Sequence, residues 1–236
     1  MTAQDSSAKE VREMTMRKYD AVLFDLDGTL TDPGMGITNS VIYALERFEI
    51  TVADRSELYC FIGPPLLDSF EKYYGFTEED AKKAVKYYRE YYTEKGIYEN
   101  LLYEGVRPML KRISESGMKI LLSTSKPEPF AKQILIHFGI MDSFDFVSGA
   151  LLDETRTEKD AVIAHALAAS GVSAESAVMV GDRKYDIIGA KKNHLASVGV
   201  LYGYGSREEL QCAGADRLAN DISDLETILL AGKVNV

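Results

Sequence analysis

The sequence predicts an α/β protein, a doubly wound parallel sheet with an all-helical cap inserted into it. Three observations carry this. Short apolar runs rich in strand formers alternate with helical patterns at the start of the chain and again after residue 104, the pattern of a parallel sheet covered on both faces. Residues 36–103 break that alternation with helix after helix. The length of 236 residues, 46% hydrophobic and 27% charged, exceeds one minimal domain and falls short of two average ones. The expected division is a loose extension over 1–18, a core made of 19–35 and 104–236, and a helical cap over 36–103.

The elements follow in order. Residues 19–25 form a nearly unbroken apolar run, expected to be a fully buried strand. Asp32, Pro33 and Gly34 punctuate a turn. Helical patterns cover 37–48, 65–74 and 77–95, the last opened by Thr77 with Glu78, Glu79 and Asp80 in its first turn. Within this insertion Tyr87, Tyr88, Tyr91 and Tyr92 fall along one broad helix face, a pattern that suits packing between helices or contact with a substrate. A helix from about Gly105 to Gly117 leads back to the core. Strands are then expected at 118–124, 144–148, 176–182 and 196–201, separated by helices at 128–138, 157–170 and 185–193. Two more helices, 206–213 and 222–230, close the pattern.

Composition excludes several classes. With a net charge of −10 the chain has no basic excess with which to neutralise a nucleic acid polymer. An acidic protein that handles anions needs a local positive device, a metal or a few lysines. Its two cysteines, Cys60 and Cys212, make no disulfide framework and no metal-type pair. No apolar run reaches the roughly 20 residues of a membrane span. Residues 1–18 lack the apolar stretch of a signal peptide. A reducing, cytoplasmic setting and no membrane partner are expected. Oligomeric state is not legible in the sequence.

The chemistry concentrates in acids. Val22-Leu23-Phe24-Asp25-Leu26-Asp27-Gly28-Thr29 ends a buried strand in two aspartates, and Gly181-Asp182-Arg183-Lys184-Tyr185-Asp186 ends another in the same way. Ligands of doubly wound sheets bind at such strand ends. If the two strands are neighbours, Asp25, Asp27, Asp182 and Asp186 converge, and like charges crowded together need a cation, or some of them must hold protons. With oxygen ligands only, that cation should be hard, and Mg2+ is favoured. On its own, Asp186 also reads as a helix cap. Thr124 ends the second core strand, where its hydroxyl and the N–H groups that follow could hold an anion at a helix start. Lys159, opening a helix, could supply the charge that a phosphate among carboxylates needs, and Lys126 is its rival.

These motifs resemble those of the haloacid dehalogenase (HAD) superfamily of phosphohydrolases, in particular the phosphoglycolate phosphatase-like branch with a helical C1-type cap on a Rossmann-like core. Asp25-Leu26-Asp27-Gly28-Thr29 matches the family's first motif, Thr124 its second, Lys159 its third, and Asp182 with Asp186 its fourth. The resemblance implies Asp25 as nucleophile and Asp27 as general acid and base. It implies Mg2+ held by Asp25, the carbonyl of Asp27, and Asp182, with Asp186 joining directly or through water. Thr124 and Lys159 would bind phosphoryl oxygens, and Gly28 and Thr29 would aim Asp27. Gly28, Thr29, Ser125, Lys126 and Gly63 form the expected substrate-binding set, Gly63 through a Gly-Pro-Pro-Leu loop of the cap. The family's third motif often reads Lys-Pro; here Asp160 follows Lys159, while Pro127 follows Lys126. The implied function is Mg-dependent hydrolysis of a small phosphorylated metabolite (phosphoglycolate, a nucleotide or similar) through an aspartyl-phosphate. A phosphosugar mutase on the same scaffold is the alternative enzyme. A receiver domain would lack the long insertion, and a non-catalytic binding protein would not need the full set of acids.

Overall fold

The computed structural model describes residues 19–152 and 155–231; the expected extension over 1–18 lies outside the described residues. Among the described residues there are eight strands: β1 (Ala21–Phe24), β2 (Thr31–Asp32), β3 (Leu101–Leu102), β4 (Lys119–Pro127), β5 (Phe146–Ala150), β6 (Ala177–Gly181), β7 (Ala196–Val200) and β8 (Arg217–Ala219). Six of them form one sheet in the order β5-β4-β1-β6-β7-β8, every neighbouring pair parallel. The chain builds outward from β1 in one direction, then returns to β1's other side and builds outward again. The strand order therefore reverses between β1 and β6, the place where such sheets open a crevice at their carboxyl ends.

Alternation along the strands divides the core. Val22, Phe24, Ile120, Leu122, Val178 and Val180 face one side, with residues of α4 (Val106–Glu115), α5 (Glu128–His137) and α9 (Ile222–Leu230). Ala21, Leu23, Leu121, Ala177 and Met179 face the other, with residues of α6 (Lys159–Ser170) and α7 (Lys184–Lys192). Both faces are thus dry, which is why these strands read as continuous apolar runs. Leu121 is fully buried in the smaller cluster. Leu121→Ala should cost about 2–5 kcal/mol, read as a lower urea midpoint with an unchanged slope; a loss well under 1 kcal/mol would mean that this face tolerates a cavity.

The insertion holds α1 (Gly34–Glu46), a 3-10 turn (Arg55–Phe61), α2 (Leu66–Tyr74), α3 (Glu78–Tyr91) and a π turn (Tyr92–Gly96). It leaves and rejoins the core through β2 and β3, which pair antiparallel with Thr31 opposite Leu102. The apolar cluster of the first sheet face continues into it through Phe61, Phe70, Ala84, Tyr88 and Tyr92.

Some elements differ from the sequence reading. The expected turn at Asp32 is a strand end followed at once by a helix, because Asp32 Oδ1 accepts the Gly34 N–H at 3.0 Å and Pro33 suits a helix start. The expected helix over 77–95 gives way to the π turn after Tyr91. Strand β4 runs on to Pro127, with a register shift after Thr124, since the residue before a proline is driven toward extended backbone. Three-residue β8, which follows α8 (Arg207–Ala213), carries no apolar run by which to find it.

Candidate active site

Asp25 follows β1 and Asp182 follows β6, and these strands are hydrogen-bonded neighbours with Phe24 opposite Val180. The geometry brings one carboxylate oxygen each from Asp25, Asp182 and Asp186 within 4.8 Å of one another, all three residues buried. Lys159 reaches into this group from the first turn of α6. Its Nζ lies 2.6 Å from Asp25 Oδ1 and 2.8 Å from Asp186 Oδ1, and donates to the Ser123 carbonyl at 3.1 Å. Among the described residues Asp182 has no ammonium paired with it; its Oδ2 accepts the Tyr204 N–H at 2.8 Å and its Oδ1 the Thr29 hydroxyl at 3.4 Å.

The electrostatics follow from this crowding. Burial pushes Asp182 well above the usual carboxylate range, and the charges of Asp186 and Asp25 push it further. Burial likewise raises Asp186, to about 6, against the pull of Lys159. Burial alone would depress Lys159, but Asp186 and Asp25 together hold it above its ordinary value. Three acids thus face one ammonium, an excess of negative charge that a divalent cation would offset, and every available donor is a hard oxygen. The residues present fit Mg2+.

Asp27 stands apart from that cluster. Its Oδ2 pairs with Lys126 Nζ at 2.5 Å, while its Oδ1 has no hydrogen-bond partner among the described residues. Burial raises its carboxyl, and Lys126 opposes the rise. The two lysines therefore divide the acids between them, Lys159 on Asp25 and Asp186, Lys126 on Asp27. Thr124 is buried, and its hydroxyl accepts the Lys126 N–H at 3.2 Å. Because β4 continues to Pro127, the start of α5 lies beyond Thr124 rather than directly after it.

A cavity of about 340 Å³ opens on these groups. Asp25, Asp27, Thr124, Ser125, Lys126, Lys159 and Asp186 form its floor, and Phe61, Gly63, Pro64, Leu66, Tyr88 and Tyr92 belong to its opposite wall. Gly28 and Thr29, expected to meet substrate, are not part of that wall. They pack behind Asp182: Gly28 has φ +83°, and a Cβ there would lie 2.6 Å from Asp182 Cγ. Of the tyrosines, Tyr88 and Tyr92 stack at 5.3 Å and face the cavity, whereas Tyr87 and Tyr91 pack against Phe48 and Tyr43 of the helical insertion.

Sequence reasoning passed over Arg183 and the loop at 201–205. Arg183 lies inside the fourth motif, between two of the chosen acids, and lines the cavity. Tyr204 fixes Asp182 through its N–H while its hydroxyl donates to Asp32 Oδ1. The repeated Tyr-Gly of 202–205 was the available signal, since only chain without side-chain bulk fits that close to Asp182.

Comparison with known proteins agrees with this geometry. A family model described as haloacid dehalogenase-like hydrolase matches residues 22–200. A 5'-nucleotidase of Pseudomonas aeruginosa is 42% identical over 219 residues, covering 93% of this chain and 99% of that protein. Tyrosine-protein kinase PtkA of Mycobacterium tuberculosis is 39% identical over 184 residues, 78% of this chain and 62% of that protein. The crystal structure of a predicted phosphatase from Clostridium acetobutylicum is 47% identical and superposes with a TM-score of 0.87, covering 90% of this chain and 98% of that one. With a family model spanning most of the chain, and the Pseudomonas and Clostridium proteins alike over nearly their whole length, the protein belongs to the haloacid dehalogenase-like hydrolases and is a phosphatase of that family.

Proposed function

We propose that this phosphatase is Mg2+-dependent and hydrolyses a small phosphomonoester through an aspartyl-phosphate on Asp25, with residues 36–103 acting as the cap. The observation that carries the reading is the placement of Asp25, a buried carboxylate at the cavity floor with Lys159 on one side and Asp27 nearby. One Asp25 oxygen attacks phosphorus as the ester P–O bond breaks. The Asp27 carboxyl gives its proton to the leaving oxygen. Asp27, now a carboxylate, takes a proton from the water that attacks phosphorus next, and this frees inorganic phosphate and Asp25. The oxygen of Asp27 left without a partner is the one open to these transfers. Lys159 and Thr124 hold the phosphoryl oxygens. Asp25, Asp182, Asp186 and the Asp27 carbonyl would hold Mg2+, which offsets the repulsion between an anionic attacker and an anionic ester.

The cavity wall favours a phosphate ester with a flat, partly apolar body. Phe61, Leu66, Val85, Tyr88, Tyr92 and Phe130 share it with Arg89. A two-carbon acid such as phosphoglycolate leaves most of that wall uncovered, whereas a nucleoside monophosphate covers it. The name of the Pseudomonas relative supports the same choice. Phosphate release across a panel of phosphorylated metabolites decides the substrate. Isomerised sugar without phosphate release would establish the mutase instead. Both cysteines are free, and no helix among the described residues is long and apolar enough to cross a membrane; a reaction in the cytoplasm is part of the proposal.

Metal dependence has a second signature. A carboxyl raised by folding keeps its stabilising proton below its unfolded value, near 4. That contribution is lost as pH rises through the folded value, about 6 for Asp186. Metal-free protein should therefore weaken between these pH values, and Mg2+ should restore most stability above them. At about 100 times its dissociation constant the ion should contribute about 2.7 kcal/mol, so the unfolding midpoint should rise on adding Mg2+ at pH 7.5 and much less at pH 5. Chelation should stop hydrolysis of p-nitrophenyl phosphate. An equal shift at both pH values, or hydrolysis indifferent to chelator, counts against the site.

A further inference from the structure

Arg183 faces two ways. Its backbone N–H donates to Asp186 Oδ2 at 3.0 Å. Its side chain, 15% exposed, turns toward the insertion. Nε donates to Glu209 Oε1 at 3.0 Å, and Nη1 donates to the Ile62 carbonyl at 2.5 Å. Glu209 Oε1 also accepts the Lys184 N–H at 2.9 Å, so the carboxylate that steadies the guanidinium is itself fixed to the start of α7. Beyond Ile62 come Gly63, Pro64 and Leu66, which wall the cavity. Gly63 has φ +106°, and a Cβ there would lie 3.2 Å from Arg183 Cγ, so this loop rests on the arginine's stem. A second contact joins the same pieces: Tyr59 meets Tyr204 ring to ring at 5.6 Å, and the Tyr204 N–H holds Asp182.

We propose that Arg183 is a positioning residue that latches the loop 61–66 over the catalytic cavity, so that the segment carrying Asp182 and Asp186 also fixes the wall against which the substrate lies. A planar fork can satisfy a carboxylate and a carbonyl at once; a lysine ammonium at the end of a flexible stem does not hold both. Loss of the side chain leaves the Arg183 N–H on Asp186 intact. Its main effect should therefore appear in the loop and in substrate affinity. Only the kinetic arm of the test rests on the phosphatase reading.

The test is hydrogen exchange of the whole protein together with steady-state kinetics. In Arg183→Ala, amides of 55–66 should exchange about tenfold faster while amides of β1, β4 and β6 keep their rates, the mark of local opening after loss of one charge-assisted bond. KM for the best ester of the panel should rise about tenfold with kcat nearly unchanged, since uniform binding is what is lost. Arg183→Lys should recover less than half of either effect. Should Arg183→Ala fail to fold, Arg183→Gln, which keeps part of the stem, is read in the same way. Unchanged exchange in 55–66 would overturn the latch. So would a fall in kcat with KM unchanged, which would show that Arg183 acts only through the acids. If the unaltered protein releases phosphate from no ester of the panel, the proposed small-ester substrate fails and the exchange arm alone decides the latch.

Discussion

Asp25→Asn should lower phosphate release by about four orders of magnitude or more, the scale on which loss of a nucleophile is felt. The substitution keeps the shape of the side chain and removes only the charge and the attacking oxygen. Asp25 is one of three clustered acids and shares the Lys159 ammonium with Asp186, so losing its charge leaves Lys159 still paired with Asp186. The unfolding midpoint should therefore stay within a few degrees. A quenched reaction with labelled ester should trap label on the unaltered protein and none on the variant. Turnover retained in Asp25→Asn would remove Asp25 as the attacking group.

The second large effect belongs to Lys159→Met, with a fall in kcat/KM of about a thousandfold or more, comparable to losing one donor aimed at developing charge. Here stability should suffer too. Lys159 is 6% exposed and neutralises Asp25 and Asp186, and removing one partner of a buried pair costs about 3–5 kcal/mol. The sign of its pH dependence is fixed. Without the ammonium Asp186 is raised further, so the penalty is full above its folded value and fades as pH falls and a proton replaces the missing charge. Urea unfolding at pH 7.5 and pH 5 measures this. Lys126→Met is the control for the rival lysine. An active Lys159→Met beside an inactive Lys126→Met would transfer the phosphate-binding role to Lys126.

How much of this was legible varies from residue to residue. The buried strands announced themselves, because a strand covered on both faces must be apolar throughout, as Ala21–Phe24 and Ala177–Gly181 are. The acids stood out because charge directly after such a run has no packing reason. Their convergence needed one further fact, that β1 and β6 are neighbours, and the strand order supplies it. The division of labour between Lys126 and Lys159 was not legible, since both follow strands or open helices, and only the fold shows which acid each reaches. Arg183 was hidden for a different reason. Its partner Ile62 lies 121 residues away and offers a main-chain oxygen, which leaves no trace in side-chain identity. Nor was the distance between Thr124 and the start of α5 visible, because extension through Pro127 depends on pairing with β5.

The ribbon of β2 and β3 has a consequence for how such proteins diversify. Because the insertion's two ends leave the sheet side by side, with Asp32 opposite Leu101, a segment of another length or helix count could be spliced between them without moving a single acid. Under the roles proposed above, such an exchange would alter the cavity wall while keeping the acids, provided that the new segment restored a partner for Arg183 in place of the Ile62 carbonyl.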